Sequence, residues 1–417
     1  EKGAGIRILY KNNWGFTCSN DLTEKNLKKL VDVALKLSKS NRTMPEQVKL
    51  AEIKHKKHEF IKWKPKKPTT DYSPKEKAGI LTEIYNTCKG DDRIKSITSI
   101  YYDGIVTTTI EIPDFSRIGY ELSRAYLRTG FVAKENGKIA MIGGSVAGTG
   151  GMEIFDKNDP VNKALSLRES CLRLLKAKSV PSGRFTVIAD PDLTGVFAHE
   201  AIGHASEGDS IISSNSCLEG KQNQQIGNEY ITIVDDPTIP GLYGSFPIDD
   251  EGTIATKKTL IKNGIVNEYI HSRESAGKLN SVPNGGARAE NYHVPPIVRM
   301  SNTYIEKGDH SFEELIEDIK YGIYLKGSRG GQVDTVKGTF QFSAQEGFLI
   351  ENGTITVPLR DAALLGNILE VLKNIDALEK IVTYSGPGHC GKNGQSAPVH
   401  DGGPHIRIQN CIVGGTA

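Results

Sequence analysis

The 417-residue chain is 37% hydrophobic and 24% charged, the composition of a folded protein, and it is longer than one core usually serves. Its 52 basic and 50 acidic residues leave a net charge of +2, which excludes an overall field that would recruit nucleic acid or an anionic membrane. No apolar run reaches the length of a membrane span and no signal-peptide core is present, so neither spanning nor export is expected.

The chain opens on Glu1 and runs directly into the strand-like Gly5-Ile6-Arg7-Ile8-Leu9-Tyr10, so some N-terminal sequence is expected to be missing. Residues 21–38 carry Leu22, Leu27, Leu30, Val31, Ala34 and Leu37 at helical spacing, and the polar stretch from Ser40 to Glu46 ends that helix. A basic run from Lys54 to Lys67, interrupted by Pro65, reads as a solvated linker. Ser73 and Pro74 open a second helix to Cys88. Strands follow between Ile94 and Ile142, with a hairpin turn at Asn136-Gly137, and Asp159-Pro160 begins a third helix reaching about Lys178.

Pro181-Ser182-Gly183 marks a boundary. An α+β fold is expected, with a mixed α/β N-terminal domain (1–183) and a β-rich C-terminal domain (184–417) that carries the metal-binding helix. In the second part, Asn263-Gly264 and Asn352-Gly353 are hairpin turns, helices are expected at 311–321 and 362–374, and a glycine-rich tail contains a strand at 406–409. The six cysteines are scattered without a CxxC pair, which points to reduced thiols and a cytoplasmic setting.

The chemistry concentrates at His199-Glu200-Ala201-Ile202-Gly203-His204. A buried strand over 185–190 precedes it, and Asp190-Pro191 is an N-cap with proline at the first helical position. Leu193, Val196, Phe197, Ala201, Ile202 and Ala205 make the helix largely apolar. Buried polar groups without partners cost roughly 1 to 3 kcal/mol each, and a bound cation is one way to satisfy two histidines and a glutamate there. In HExxH helices the histidines are four apart and share a face, and the glutamate is the general base. Here they are five apart, and in a regular α-helix the imidazoles would diverge by about 140 degrees. A π-bulge removes the divergence, and Gly203 is the residue expected to tolerate it. The competing reading is two separately satisfied core histidines. Glu207 and Asp209 follow as acceptors for the imidazole N–H groups.

A catalytic zinc usually holds three protein ligands. Candidates for the third are Glu207, Asp209, Glu219, Cys217, His271, Cys390, His400 and His405. Cys390 stands out because small residues surround it in Ser385-Gly386-Pro387-Gly388-His389-Cys390-Gly391-Lys392, with Lys392 favouring the thiolate.

HEAIGH at 199–204 with its extension Ala205-Ser206-Glu207-Gly208-Asp209, the segment 342–353 (FSAQEGFLIENG), CGKNGQ at 390–395 and PPIVRMSNT at 295–303 together resemble the TldD/PmbA peptidases. The TldD branch is the closer, since it keeps the HExxxH motif that the PmbA (TldE) branch lacks. The resemblance implies a cytoplasmic metallopeptidase acting on unfolded proteins or peptides, as a homodimer or a heterodimer with a PmbA/TldE-like subunit. It also implies Zn2+ held by His199, His204 and a cysteine of the C-terminal glycine-rich loop, which maps onto Cys390. Glu200 is then the general base, and His389, His400 and His405 are histidines able to assist or replace the cysteine. An exposed strand edge is expected to hold the peptide. The alternative is a non-catalytic modulator or chaperone-like peptide-binding subunit.

Overall fold

The computed structural model describes residues 1–40, 47–53, 58–112 and 116–415. Much of the polar stretch after the first helix, 41–46, and the start of the basic run, 54–57, lie outside the described residues.

A hairpin of Ala4–Tyr10 and Asn13–Ser19 is covered by the helix Glu24–Ser40. The helix lies so close that a Cβ on Gly15 would sit 1.9 Å from the carbonyl oxygen of Ala34. Beyond it, the long strand Arg117–Glu135 pairs antiparallel with Ile94–Glu111 on one side and Lys138–Thr149 on the other. The turn expected at Asn136-Gly137 is present, with both residues at positive φ. The basic run is not only a linker. Its Phe60–Lys62 forms a short parallel strand against residues 119–121, because Ile61 and Trp63 share a face and pack against the cluster of Ile118, Tyr120 and Leu122. Helices Pro74–Cys88 and Pro160–Lys176 bury their apolar faces against this sheet. Both start as the sequence dictates: Ser73 and Glu76 form a reciprocal capping box, and Asp159 accepts from the Val161 and Asn162 N–H groups.

The second half is built on a closed ring of strands. Tyr321–Asp334, Gly183–Ala189, Ile406–Gly415, Ala362–Asn367 and Thr339–Glu351 pair in that succession, and the last pairs back onto the first. Beside it lies a six-stranded sheet in the order Ile265–Val266, Lys258–Lys262, Ile233–Asp235, Asn302–Ile305, Gln395–Gly403, Thr383–Lys392.

Three expectations are corrected here. Residues 311–321 form only the short helix Phe312–Ile316, and Tyr321 already begins a long strand. Ala362–Asn367 is a strand and only Ile368–Asn374 is helix. Ala362, Ala363 and Leu364 are all buried, so they lack the alternation that betrays a half-exposed strand. The glycine-rich tail is not a loop: it is the hairpin Thr383–Lys392 and Gln395–Gly403, turned by Asn393 and Gly394 at positive φ.

Candidate metal centre

The strand Gly183–Ala189 leads straight into the helix Pro191–Val196, whose first turn is fastened by the Asp190 side chain accepting from the Leu193 N–H. Asp190 also accepts from the Gly327 N–H at 2.9 Å, tying the helix start to the ring. Burial, with Asp192 adding repulsion, pushes the Asp190 carboxyl up to about 7. The helix is buried on nearly all sides, with Leu193, Phe197, Ala198, Ala201, Ile202 and Ala205 at most 1% exposed.

Phe197–Gly203 is a π-helix, and the His204 N–H bonds to the His199 carbonyl, five residues back. That bond overcomes the divergence that five-residue spacing imposes on an α-helix. The two imidazole centroids lie 5.3 Å apart at 84°. The distortion spans the whole motif rather than one residue, and Gly203 has ordinary helical angles of φ −56 and ψ −57. Glycine is needed there for space: a Cβ would stand 2.9 Å from Met300 Cγ.

Cys390 reaches this helix from the hairpin, its Sγ 3.3 Å from His204 Nε2. One ligand atom from each of His199, His204 and Cys390 lies within 4.8 Å of the others. Both flanking carboxylates approach the Nδ1 side. His199 Nδ1 lies 2.9 Å from Asp401 Oδ1, and His204 Nδ1 lies 3.3 Å from Glu207 Oε2. Glu200 is half-buried, with Oε2 3.8 Å from His204 Nε2, so its carboxylate borders the same space.

Electrostatics bind the three groups together. Burial alone would raise the Cys390 thiol, but His199 and His204 overcome it and lower it to about 4. Burial would lower both histidines; Asp401 and Cys390 instead hold His199 well above its usual value, and Glu207 and Cys390 hold His204 at about 9.

Of the remaining candidates, Glu207 backs His204, while Asp209 pairs with Lys392 Nζ at 2.8 Å instead of with a histidine. Lys392 is accordingly directed at Glu207 and Asp209, not at the thiol as its place in sequence suggested. His405 pairs with Glu379, His271 meets Ser275, His400 accepts from the Tyr243 N–H, and Glu219 accepts from Ser214. His389, next to Cys390 but exposed, bonds Tyr102 and Tyr243 at 3.2 Å each. Cys217 carries a neutral thiol, raised by burial.

Sequence reasoning missed two residues. Arg299, fully buried in the PPIVRMSNT segment, donates to the carbonyl oxygens of Cys390 and Gln395 and so fixes the turn end of the hairpin. Asp401 was the other. The run Asp401-Gly402-Gly403 held a signal, because paired glycines allow close approach, and a Cβ on Gly195 of the motif helix would stand 2.5 Å from the Gly402 nitrogen.

The PmbA/TldA metallopeptidase C-terminal domain matches residues 182–415, and domain 1 of the same family matches residues 1–38. A metalloprotease of Methanocaldococcus jannaschii is 46% identical over 97% of this chain and 89% of its own length. A zinc metalloprotease TldD homolog of Saccharolobus solfataricus is 33% identical over 100% of this chain and 90% of its own length. In fold, the chain resembles TldE from Thermococcus kodakarensis, with a TM-score of 0.74 at 19% identity, covering 99% of this chain and 94% of that one. The chain belongs to the PmbA/TldD family of metallopeptidases.

Proposed function

We propose that this protein hydrolyses peptide bonds in unfolded proteins or peptides, with Zn2+ held by His199, His204 and Cys390 and with Glu200 as general base. The observation that carries the reading is the convergence of two imidazoles and a thiol within 4.8 Å, made possible by the π-helix. The donor set suits zinc, since imidazole and thiolate are its preferred ligands. The 3.3 Å between Cys390 Sγ and His204 Nε2 fits two ligands of a tetrahedral ion with bonds of about 2.0 to 2.3 Å. Three protein donors leave a fourth position for water or substrate.

When bound, zinc lowers the pKa of water and polarises the scissile carbonyl. Glu200, at the rim of the site, takes the proton from the attacking water and hands it to the leaving amine. Glu207 holds His204 from its Nδ1 side at 3.3 Å. Thr383–Lys392 is the terminal strand of its sheet and carries Cys390, so an extended peptide pairing along its outer edge runs past the metal. A Cβ on Gly388 or Gly391 would meet nothing within 4 Å, so the faces of the strand are open at these two residues. Binding through main-chain bonds selects unfolded chains over folded ones.

Further readings accompany this one. Residues 1–183 and 184–417 act as two domains, supported by the two main apolar clusters of residues 84–177 and 180–413, which a smaller cluster of Ile118, Tyr120 and Leu122 with Phe246, Ile248 and Ala255 joins. The protein works in the cytoplasm, consistent with six free cysteines. It assembles with a second copy or with a PmbA/TldE-like subunit, supported by the fold shared with TldE. Among the described residues no helix is long and apolar enough to cross a membrane.

Metal analysis with digestion of an unstructured protein tests the function. Stoichiometric zinc in both wild type and Glu200→Gln, with cleavage only by wild type, is expected. Absence of metal after purification without chelators overturns it.

A further inference from the structure

The hairpin Thr383–Lys392 and Gln395–Gly403 brings more to the centre than the Cys390 sulfur. Cys390 lies on its first strand. Asp401 lies on its second, held in register between Gly386 of the first strand and Thr303 of the neighbouring parallel strand. Its Oδ1 approaches His199 Nδ1 to 2.9 Å, and both atoms are buried with no hydrogen bond elsewhere. The contact is close, although it is not aligned as a hydrogen bond. A buried carboxylate oxygen and a buried ring nitrogen left single are each costly, and each is the other's available partner.

His204 is treated the same way at one remove. Its Nδ1 faces Glu207 Oε2, and Lys392 of the same hairpin sits 3.0 Å from that oxygen and 2.8 Å from Asp209. Without Lys392, the buried Glu207 and the part-exposed Asp209 would stand as two adjacent negative charges. In both histidines a carboxylate therefore occupies the Nδ1 side, which sets the Nδ1–H tautomer and leaves the Nε2 lone pair for the shared centre.

We propose that Asp401 is the positioning residue for His199, and that this hairpin, through Asp401 and Lys392 as well as Cys390, governs all three metal ligands as one unit. The inference rests on the reading of His199, His204 and Cys390 as zinc ligands, and it adds a role for residues that touch no metal. Docking of the hairpin then completes the site in one step: it delivers the sulfur, orients one imidazole directly and balances the carboxylate that orients the other.

The test is the zinc affinity of the full chain, measured by competition with a chromophoric chelator, together with the cobalt(II) absorption spectrum. Asp401→Ala is expected to bind zinc about 10- to 100-fold more weakly. Asp401→Asn, which keeps the shape but loses the charge, shows a smaller loss, as does Lys392→Met. The cobalt ligand-field bands shift in Asp401→Ala while the sulfur-to-cobalt band persists, and the melting temperature of the metal-free protein stays at the wild-type value. Wild-type affinity and an unchanged cobalt spectrum in both Asp401 variants overturn the proposal. So does a fall in metal-free stability that matches the affinity loss, which marks Asp401 as merely structural. His199→Ala separates the two levels: if it too binds zinc as tightly as wild type, the ligand assignment itself is what fails.

Discussion

The two halves of the metal centre are built on opposite plans. His199, Glu200, His204 and Glu207 lie in one short helical segment, and their mutual geometry follows from local backbone bonds. Cys390, Lys392 and Asp401 arrive on a hairpin, with 186 residues separating His204 from Cys390 in sequence, and their placement depends on sheet register and on Arg299. The helical half is precise because it is local. The hairpin half is precise only when the surrounding sheet is complete.

The comparison breaks most sharply at the chemistry. Glu200→Gln alters the helical half without removing a ligand, and peptide hydrolysis is expected to fall by roughly 10²- to 10⁴-fold with zinc content unchanged. Loss of zinc in that variant would contradict the separation of base from ligand. Removing one donor from either half, His199→Ala or Cys390→Ala, is expected to abolish stoichiometric zinc on elemental analysis. Full zinc in Cys390→Ala would mean that the helical half suffices alone.

Acid sharpens the contrast. His271 is buried behind Gly208, where the chain leaves the motif helix, and burial lowers its pKa from 6.5 to about 4. The unfolded chain therefore binds a proton that the folded one resists, so His271 costs nothing above pH 6.5 and destabilises progressively as pH falls toward 4. The loss amounts to roughly 3 kcal/mol at most. Denaturant titrations of the metal-free protein from pH 7 to 4 should show it, and His271→Gln should flatten that slope. An identical slope in the variant would remove His271 as the cause.

Two glycines give the smallest and most discriminating pair. Gly203→Ala adds a methyl against buried Met300 at normal backbone angles, so the crowding of about 1 to 3 kcal/mol outweighs the roughly 1 kcal/mol that alanine gains in a helix. A net stabilisation would show that space is not the constraint. Gly394→Ala in the hairpin turn meets nothing, but φ is +74, so a cost of about 1 kcal/mol comes from the backbone alone. Unchanged stability there would show that the turn relaxes.

The same division explains what the sequence reveals. Asp190-Pro191 marks the helix start, and the five-residue histidine spacing demands a π distortion, because both are statements about neighbouring residues. The reason for Gly203 is not legible, since Met300 reaches it from far along the chain. Cys390 is visible through its small neighbours and the family resemblance, whereas for Asp401 the two glycines after it signal only a close approach, and no local pattern shows which residue of a distant strand faces His199. The 362–374 segment misleads for a related reason: a strand buried on both faces carries the same apolar run as a buried helix.

The closing of the strand ring has a further consequence for how the cell makes this enzyme. Gly183–Ala189, which launches the motif helix, pairs with Ile406–Gly415, and the sulfur lies at residue 390. A chain still on the ribosome carries both histidines and the glutamate long before it carries the cysteine or the strand that seals the ring. On the proposed reading of the site, assembly of the centre therefore waits until translation has passed both the hairpin and the strand that closes the ring.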